Sequence, residues 1–152
     1  FNQKQDVLLL LIDDVGDNLL NDLKYVGRAG PSRLKRVELV LRRHISSIEQ
    51  RRGVSFQVIA EIISLGDKRL NRRVAEVMEM YISRVELLLR EGIASGELHS
   101  GLDSRAAAVM IFSTIHGLVS LWTLHSYSFD LRKRFDTIWA LVRSAMVNGE
   151  KI

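Results

Sequence analysis

The chain has 152 residues, which is enough for one domain with a substantial core. It has no cysteine, which excludes disulfides, thiolate metal sites and a cysteine nucleophile, and is compatible with a cytoplasmic protein. The formal net charge is +4, but the basic residues fall in separate groups among acidic ones, so we expect no nucleic-acid surface in this chain. No uninterrupted apolar run is long enough for a membrane span, so we expect a soluble protein with no membrane partner.

Helical patterns follow one another along the whole chain. A breaker at Gly27–Gly30 ends the first helix, and Pro31 stands where a second can begin. Apolar residues spaced by three and four predict helices over residues 6–25, 31–52, 55–65, 70–94, 103–126 and 130–148. No segment has strand alternation with turn residues beside it. The sequence therefore predicts an all-α, single-domain antiparallel bundle of about six helices.

The predicted helix after Asp103 is apolar on almost all of its faces. A surface helix needs only one apolar stripe, so this one must contact partners on two faces. We expect one face to meet internal helices and the other, with the last helix, to form a seam between two subunits. The candidate dimer residues are Leu118, Trp122, Phe135, Ile138 and Val142.

A ligand pocket is the other possible use of these helices. Its candidate lining residues are Phe56, Met78, Tyr81, Phe112 and His116. His116 in an apolar setting can hydrogen-bond a ligand or titrate near neutral pH, but the pattern favours a core histidine bonded to a carbonyl, Ser113 or Ser120. Methionine and aromatic residues at helical spacing can likewise be plain core.

The search for catalytic or metal chemistry gives negative results. The four histidines lie on different segments or on opposite sides of one helix, so they do not form a metal-ligating cluster in the sequence. The Glu-x-x-His spacing of di-iron bundles does not occur. There is no glycine-rich phosphate loop and no nucleophile elbow. Acidic pairs such as Glu76 and Glu79 lie off the apolar stripe. We therefore predict no catalytic residues, no metal and no cofactor, and expect that the chain is not an enzyme.

The region 87–117 carries a recognisable order of short motifs. After a long helix come Leu88-Leu89-Arg90-Glu91-Gly92, Ser95-Gly96-Glu97-Leu98, Leu102-Asp103, Ala106-Ala107-Ala108 and Ile115-His116-Gly117. This order resembles the C-terminal domain of TetR-type (TetR/AcrR) transcription regulators. The first residues, Phe1 to Leu8, resemble the end of that family's DNA-binding domain, so residues 1–5 are interpreted as its remnant and 6–152 as the ligand-binding and dimerisation domain.

The resemblance implies a homodimeric, effector-sensing domain of a bacterial regulator, a repressor, with a small hydrophobic effector. In such a regulator the effector shifts helix 6–25, which leads to the helix-turn-helix upstream, and Gly27–Gly30 offers a place to absorb that motion. DNA would be bound only through the missing N-terminal domain. The family's ligand residues vary too much to be transferred to single positions here.

Two other classes of protein remain open. The chain can be a helical protein–protein interaction module without a ligand, which requires a fully packed core with no cavity beyond a few water volumes. It can also be a small enzyme that uses a pocket carboxylate with His116, which requires an acid within hydrogen-bonding reach of that imidazole.

Overall fold

Six helices make up the part of the chain that the computed structural model describes, residues 3–26 and 32–147. They are α1 (Gln3–Val26), α2 (Arg33–Gln50), α3 (Val54–Leu65), α4 (Lys68–Ala94), α5 (Ser104–Leu124) and α6 (Leu131–Met146). The expected all-α bundle is confirmed. The breaker Gly27–Gly30, Pro31 and the expected end at Asn148 lie outside the described residues.

Side-chain caps fix where most of these helices begin. Ser32, Asp67, Asp103 and Asp130 each have extended backbone, and their side-chain oxygens accept a hydrogen bond from the amide three residues later. A cap of this kind satisfies one of the free amides in the first helical turn. The cap predicted at Asp103 is confirmed by its bond from the Ala106 amide at 2.9 Å.

Replacing the cap of α5 tests how much this contact stabilises the fold. We expect Asp103→Ala to lower the free energy of unfolding by about 1 kcal/mol, because the Ala106 amide loses its acceptor. Urea denaturation measures the change. Ser100→Ala, an exposed site in the same connection, is the control and should leave the midpoint where it is.

The buried residues form two clusters, which we call the main cluster and the small cluster. The main cluster joins α2, the second half of α4, α5 and α6 around residues such as Leu41, Tyr81 and Val119. The small cluster joins the first half of α1 to α3 and the beginning of α4, through Leu8, Ile12, Ile59, Ile62, Leu70, Val74 and Val77. Helix α4 passes through both clusters and therefore holds the two parts of the bundle together.

Helix α5 packs inside the subunit along one side only. Seven of its residues are buried, on the side that packs against α4, α3 and α6, while Met110, Leu121 and Leu124 are exposed. By length and composition it is the one helix, among the residues described, that could cross a membrane. Its uninterrupted apolar runs are short. The residues that interrupt them are serine, threonine, glycine and histidine rather than charged residues, so the mean hydropathy of the helix stays high.

The corner where α2 turns into α3 packs against the connection between α5 and α6. Arg52, Ser126 and Tyr127 all have positive φ, which costs free energy for residues with a Cβ, so other contacts must hold them. The guanidinium of Arg52 lies 4.7 Å from the centre of the Tyr127 ring, and the Gln57 amide donates to the Tyr127 hydroxyl at 3.1 Å. These contacts tie the two connections to each other.

Candidate functional site

A narrow cavity lies where the main and small clusters meet. Helices α1 to α5 all contribute to its wall, and its interior volume is about 50 Å³. Its exposed wall residues, Arg51 and Val54, lie at the corner between α2 and α3, which places the opening there. A volume of about 50 Å³ corresponds to a few water molecules, so the cavity in this form is also compatible with the interaction-module interpretation.

The inner part of the cavity is aliphatic. Side chains from α1, α3 and α4 form it, namely Ile12, Val15, Ile59, Val74, Val77 and Met78. Most of them belong to or pack against the small cluster. A surface of this kind, without hydrogen-bonding groups, favours an aliphatic chain over a polar molecule.

Aromatic rings form the side of the cavity that belongs to α3 and α5. The His116 ring centre lies 4.4 Å from that of Phe56 and 5.0 Å from that of Phe112. All three line the cavity, as does Met78, so four of the five residues proposed from the sequence lie together in its wall. Burial lowers the pKa of His116, which keeps the imidazole neutral at physiological pH.

Tyr81, the fifth candidate, lies behind this wall rather than in it. Its ring centre is 5.7 Å from that of Phe112, and its hydroxyl is hydrogen-bonded to His44 Nδ1 at 3.1 Å. Burial, with a smaller contribution from the charge of Asp22, raises the pKa of the Tyr81 hydroxyl. Tyr81 therefore stays protonated and serves to hold His44, which does line the cavity.

His44 and Asp22 are the polar wall residues that the sequence interpretation missed. Burial, helped by the nearby His116, lowers the pKa of His44 to about 4, so this ring is neutral at pH 7. The Asp22 carboxylate, on α1, accepts a 2.8 Å hydrogen bond from Arg43 Nε on α2. Asn18 and Ser47 line the same zone. The cavity wall thus contains polar side chains beside its aliphatic and aromatic ones.

A sequence signal for both residues existed. Asp22 continues the spacing of Leu8, Ile12, Val15 and Leu19 along one face of α1. His44 stands on the buried face of α2 beside Leu41 and Ile48. A polar residue in an otherwise apolar helical stripe must find a partner inside the fold, so it is a candidate for a site.

The chemistry available in this site is binding. No group of three metal-ligating side chains occurs among the described residues. Within residues 3–26 and 32–147, His116 makes ring contacts with Phe56 and Phe112, and no carboxylate is hydrogen-bonded to its imidazole. The acid partner that the enzyme interpretation requires is therefore not found in the described part of the chain.

The candidate dimer residues are partly used inside the subunit. Leu118, Trp122 and Phe135 are buried in the main cluster, because α5 packs this edge against the subunit's own neighbours. Ile138 and Val142 are half-buried at a groove between α5 and α6. On the adjacent face of these two helices, Leu121 and Leu141 are 52% and 69% exposed.

Comparisons with known proteins agree on one family. Residues 17–145 match the family model described as YsiA-like protein, C-terminal region. The chain is 25% identical, over 148 residues, to the fatty acid metabolism regulator protein of Bacillus subtilis (strain 168), covering 97% of this chain and 76% of that protein.

Solved structures give the same result. The crystal structure of the transcriptional regulator FadR from Bacillus subtilis in complex with stearoyl-CoA has a TM-score of 0.78 and 26% identity, over 95% of this chain and 77% of that one. The fatty acid degradation regulator FadR from Bacillus halodurans has a TM-score of 0.77 at 22% identity, over 93% of this chain and 72% of that chain, and so supports the fold.

Proposed function

Because the chain belongs to the family of YsiA-like proteins, C-terminal region, and is thus the effector-sensing domain of a TetR-type transcription regulator, we propose that its effector is an acyl-CoA. The acyl chain would occupy the cavity between the two clusters. The observation that carries this proposal is the combination of surfaces in the cavity wall, which has an aliphatic part, buried polar side chains and Arg51 at its exposed edge.

This combination matches the chemistry of a fatty acyl thioester. Each methylene that leaves water for the aliphatic end contributes about 0.8 kcal/mol, so a long tail supplies most of the affinity. The neutral imidazoles of His44 and His116 offer hydrogen-bonding groups without a charge, which suits an uncharged thioester carbonyl. Arg51 at the opening carries the charge that phosphate groups prefer.

Coupling to DNA binding follows from the size of the cavity and from the position of α1. An interior of about 50 Å³ holds little more than a few water molecules, so a long acyl chain must widen it. Ion pairs join α1 to α3 and α4 on the small-cluster side, between Lys4 and Glu61 and between Asp13 and Arg73. A ligand that binds the widened form more tightly therefore shifts α1, and a coupling free energy results.

In the complete regulator α1 would transmit this shift. We propose that residues 1–5 end a DNA-binding unit and that α1 connects this unit to the effector domain of a repressor. DNA would then be contacted through that unit and not by the helices described above. A regulator that acts on DNA operates in the cytoplasm of a bacterium, and its effector domain needs binding rather than catalysis.

Palmitoyl-CoA binding, measured by isothermal titration calorimetry, tests the effector proposal. We expect the chain to bind palmitoyl-CoA and to bind CoA without an acyl chain much more weakly. Met78→Trp should weaken palmitoyl-CoA binding about tenfold, since the larger ring excludes roughly two methylenes, worth about 1.6 kcal/mol.

Leu65→Trp is the matched control, because it adds a similar ring at an exposed position outside the cavity. This variant should bind palmitoyl-CoA as the unmodified chain does. Equal affinity of the Met78→Trp variant would place the acyl chain elsewhere, and the proposal for this cavity would be wrong.

We also propose that the chain forms a homodimer through α5 and α6. The supporting observation is a surface without charge, which we call the uncharged strip: Met110, Thr114, Gly117, Leu121, Ile138, Leu141 and Ala145. On other exposed faces of α6, Arg132 and Asp136 are paired with residues of α2. Two copies of the strip facing each other across a two-fold axis would form a four-helix arrangement.

A further inference from the structure

A second groove lies at the other end of α1, between α1, α2 and α4. Its free volume is about 260 Å³, which is larger than that of the effector cavity, and the two spaces share no lining residue. Its floor is aliphatic and includes Leu23, Leu87 and Leu88. Leu87 is 46% exposed, so this floor is open to solvent.

Among the residues described, three cations line the groove, namely Lys24, Arg36 and Arg84, and no acidic residue does. Lys24 and Arg84 are exposed, and within the described part of the chain neither has a carboxylate at ion-pair distance. On other parts of these helices most cations are paired, as Arg43 is with Asp22 and Arg73 with Asp13. The like charges of Lys24 and Arg84 repel each other, and an anion bound between them would relieve that repulsion.

The size of the groove decides between two kinds of occupant. Eight side chains line it, whereas a stable protein interface involves about 20–30 residues on each side. A protein partner is thus disfavoured, and a small molecule fits. An aliphatic floor with cations at its edge selects an unbranched aliphatic tail that carries an anionic head group.

We propose that this groove is a second binding site, for a small anionic amphiphile, with the tail on Leu23, Leu87 and Leu88 and the head group between Lys24 and Arg84. The site uses helices α1, α2 and α4 near the main cluster, away from the aliphatic end of the effector cavity. Its occupation is independent of whether the cavity binds acyl-CoA.

Methyl NMR with decanoate as the probe locates the site directly. In a chain with labelled isoleucine, leucine and valine methyl groups, decanoate should shift the signals of Leu23, Leu87 and Leu88. These three leucines line the groove and not the effector cavity. Affinity should rise about fourfold per added methylene from hexanoate to decanoate, and it should fall with added salt. No shift at the groove leucines would overturn the proposal.

Charge-reversal variants test the head-group contacts. Arg84→Glu and Lys24→Glu should each weaken decanoate binding at the groove at least about tenfold, since a cation at the head group is replaced by an anion. Arg72→Glu, another exposed arginine of α4 that does not line the groove, is the matched control and should have little effect.

Uncharged and cationic probes complete the test. Decanol and decyltrimethylammonium, with the same tail length, should bind the groove far less than decanoate does. Equal binding of decanol, or decanoate binding unchanged by Arg84→Glu, would show a nonspecific apolar contact and contradict the proposal. Met78→Trp, which narrows the effector cavity, should leave the decanoate shifts of the groove leucines unchanged, so failure of one proposal is distinguishable from failure of the other.

Discussion

Leu121→Glu is expected to convert a dimer of this chain into a monomer. Leu121 is 52% exposed in the subunit and lies within the uncharged strip, so the substitution leaves the core of the subunit intact. In the dimer each glutamate would lie against an apolar surface without a counter-charge. Because each subunit carries the substitution, the interface would contain two such glutamates. A cost of about 4 kcal/mol corresponds to a thousandfold weaker association.

Sedimentation velocity at micromolar concentration measures this change. Leu65→Glu, which places the same charge at an exposed leucine of α3 outside the strip, should remain dimeric. Circular dichroism verifies that both variants are folded. A monomeric unmodified chain, or a Leu121→Glu variant that still dimerises, would show that α5 and α6 do not form the interface.

Acidification from pH 6.5 to pH 4 is expected to remove about 3 kcal/mol of stability through His44. The unfolded chain takes up a proton on this imidazole near pH 6.5, while burial lowers the pKa of His44 in the folded chain to about 4. Between these values the unfolded state binds more protons, so the free energy of unfolding falls as the pH falls. Above pH 6.5 the His44 imidazole is neutral in both the folded and the unfolded chain, so the full stability is present.

A double variant isolates the effect of His44 from that of the carboxylates. His44→Phe alone would leave the buried Tyr81 hydroxyl without its partner, whereas His44→Phe combined with Tyr81→Phe removes both ends of the bond. Urea denaturation across this pH range should show a smaller loss of stability in the double variant, while His125→Gln, at an exposed histidine, should behave like the parent. An unchanged slope in the double variant would assign the loss to other groups.

The helices could be predicted because two local signals agree in this sequence. Apolar spacing gives the core-facing stripe of α4, and acceptors such as Asp103 and Asp130 mark where helices begin. Both signals depend on residues a few positions apart. The order and extent of the six helices follow from them, apart from a few residues at the ends: α1 begins at Gln3 rather than Asp6, and α5 ends at Leu124 rather than Ser126.

The site was only partly predictable because it depends on contacts between distant helices. The spacing of Phe112 and His116 along α5 put both in the pocket wall, where the structure has them. The sequence interpretation assigned Leu118 to the dimer seam, whereas Leu118 is buried in the subunit and Leu121 is exposed, because no local signal distinguishes two leucines on the same helix. Which of them is buried depends on where α6 packs. Tyr81 lies behind the cavity wall, where its hydroxyl is hydrogen-bonded to His44, a residue 37 positions earlier in the chain.

The division of the core into two clusters makes the stability of the molecule uneven. The small cluster contains seven buried side chains, and the main cluster contains 21, so the small cluster costs less to separate. Brief local opening of α3 and the first half of α1 would then expose the aliphatic end of the cavity without unfolding the rest. Entry of a long acyl chain would be governed by the frequency of this opening, and departure by the same motion. Residence time would therefore be set by the small cluster.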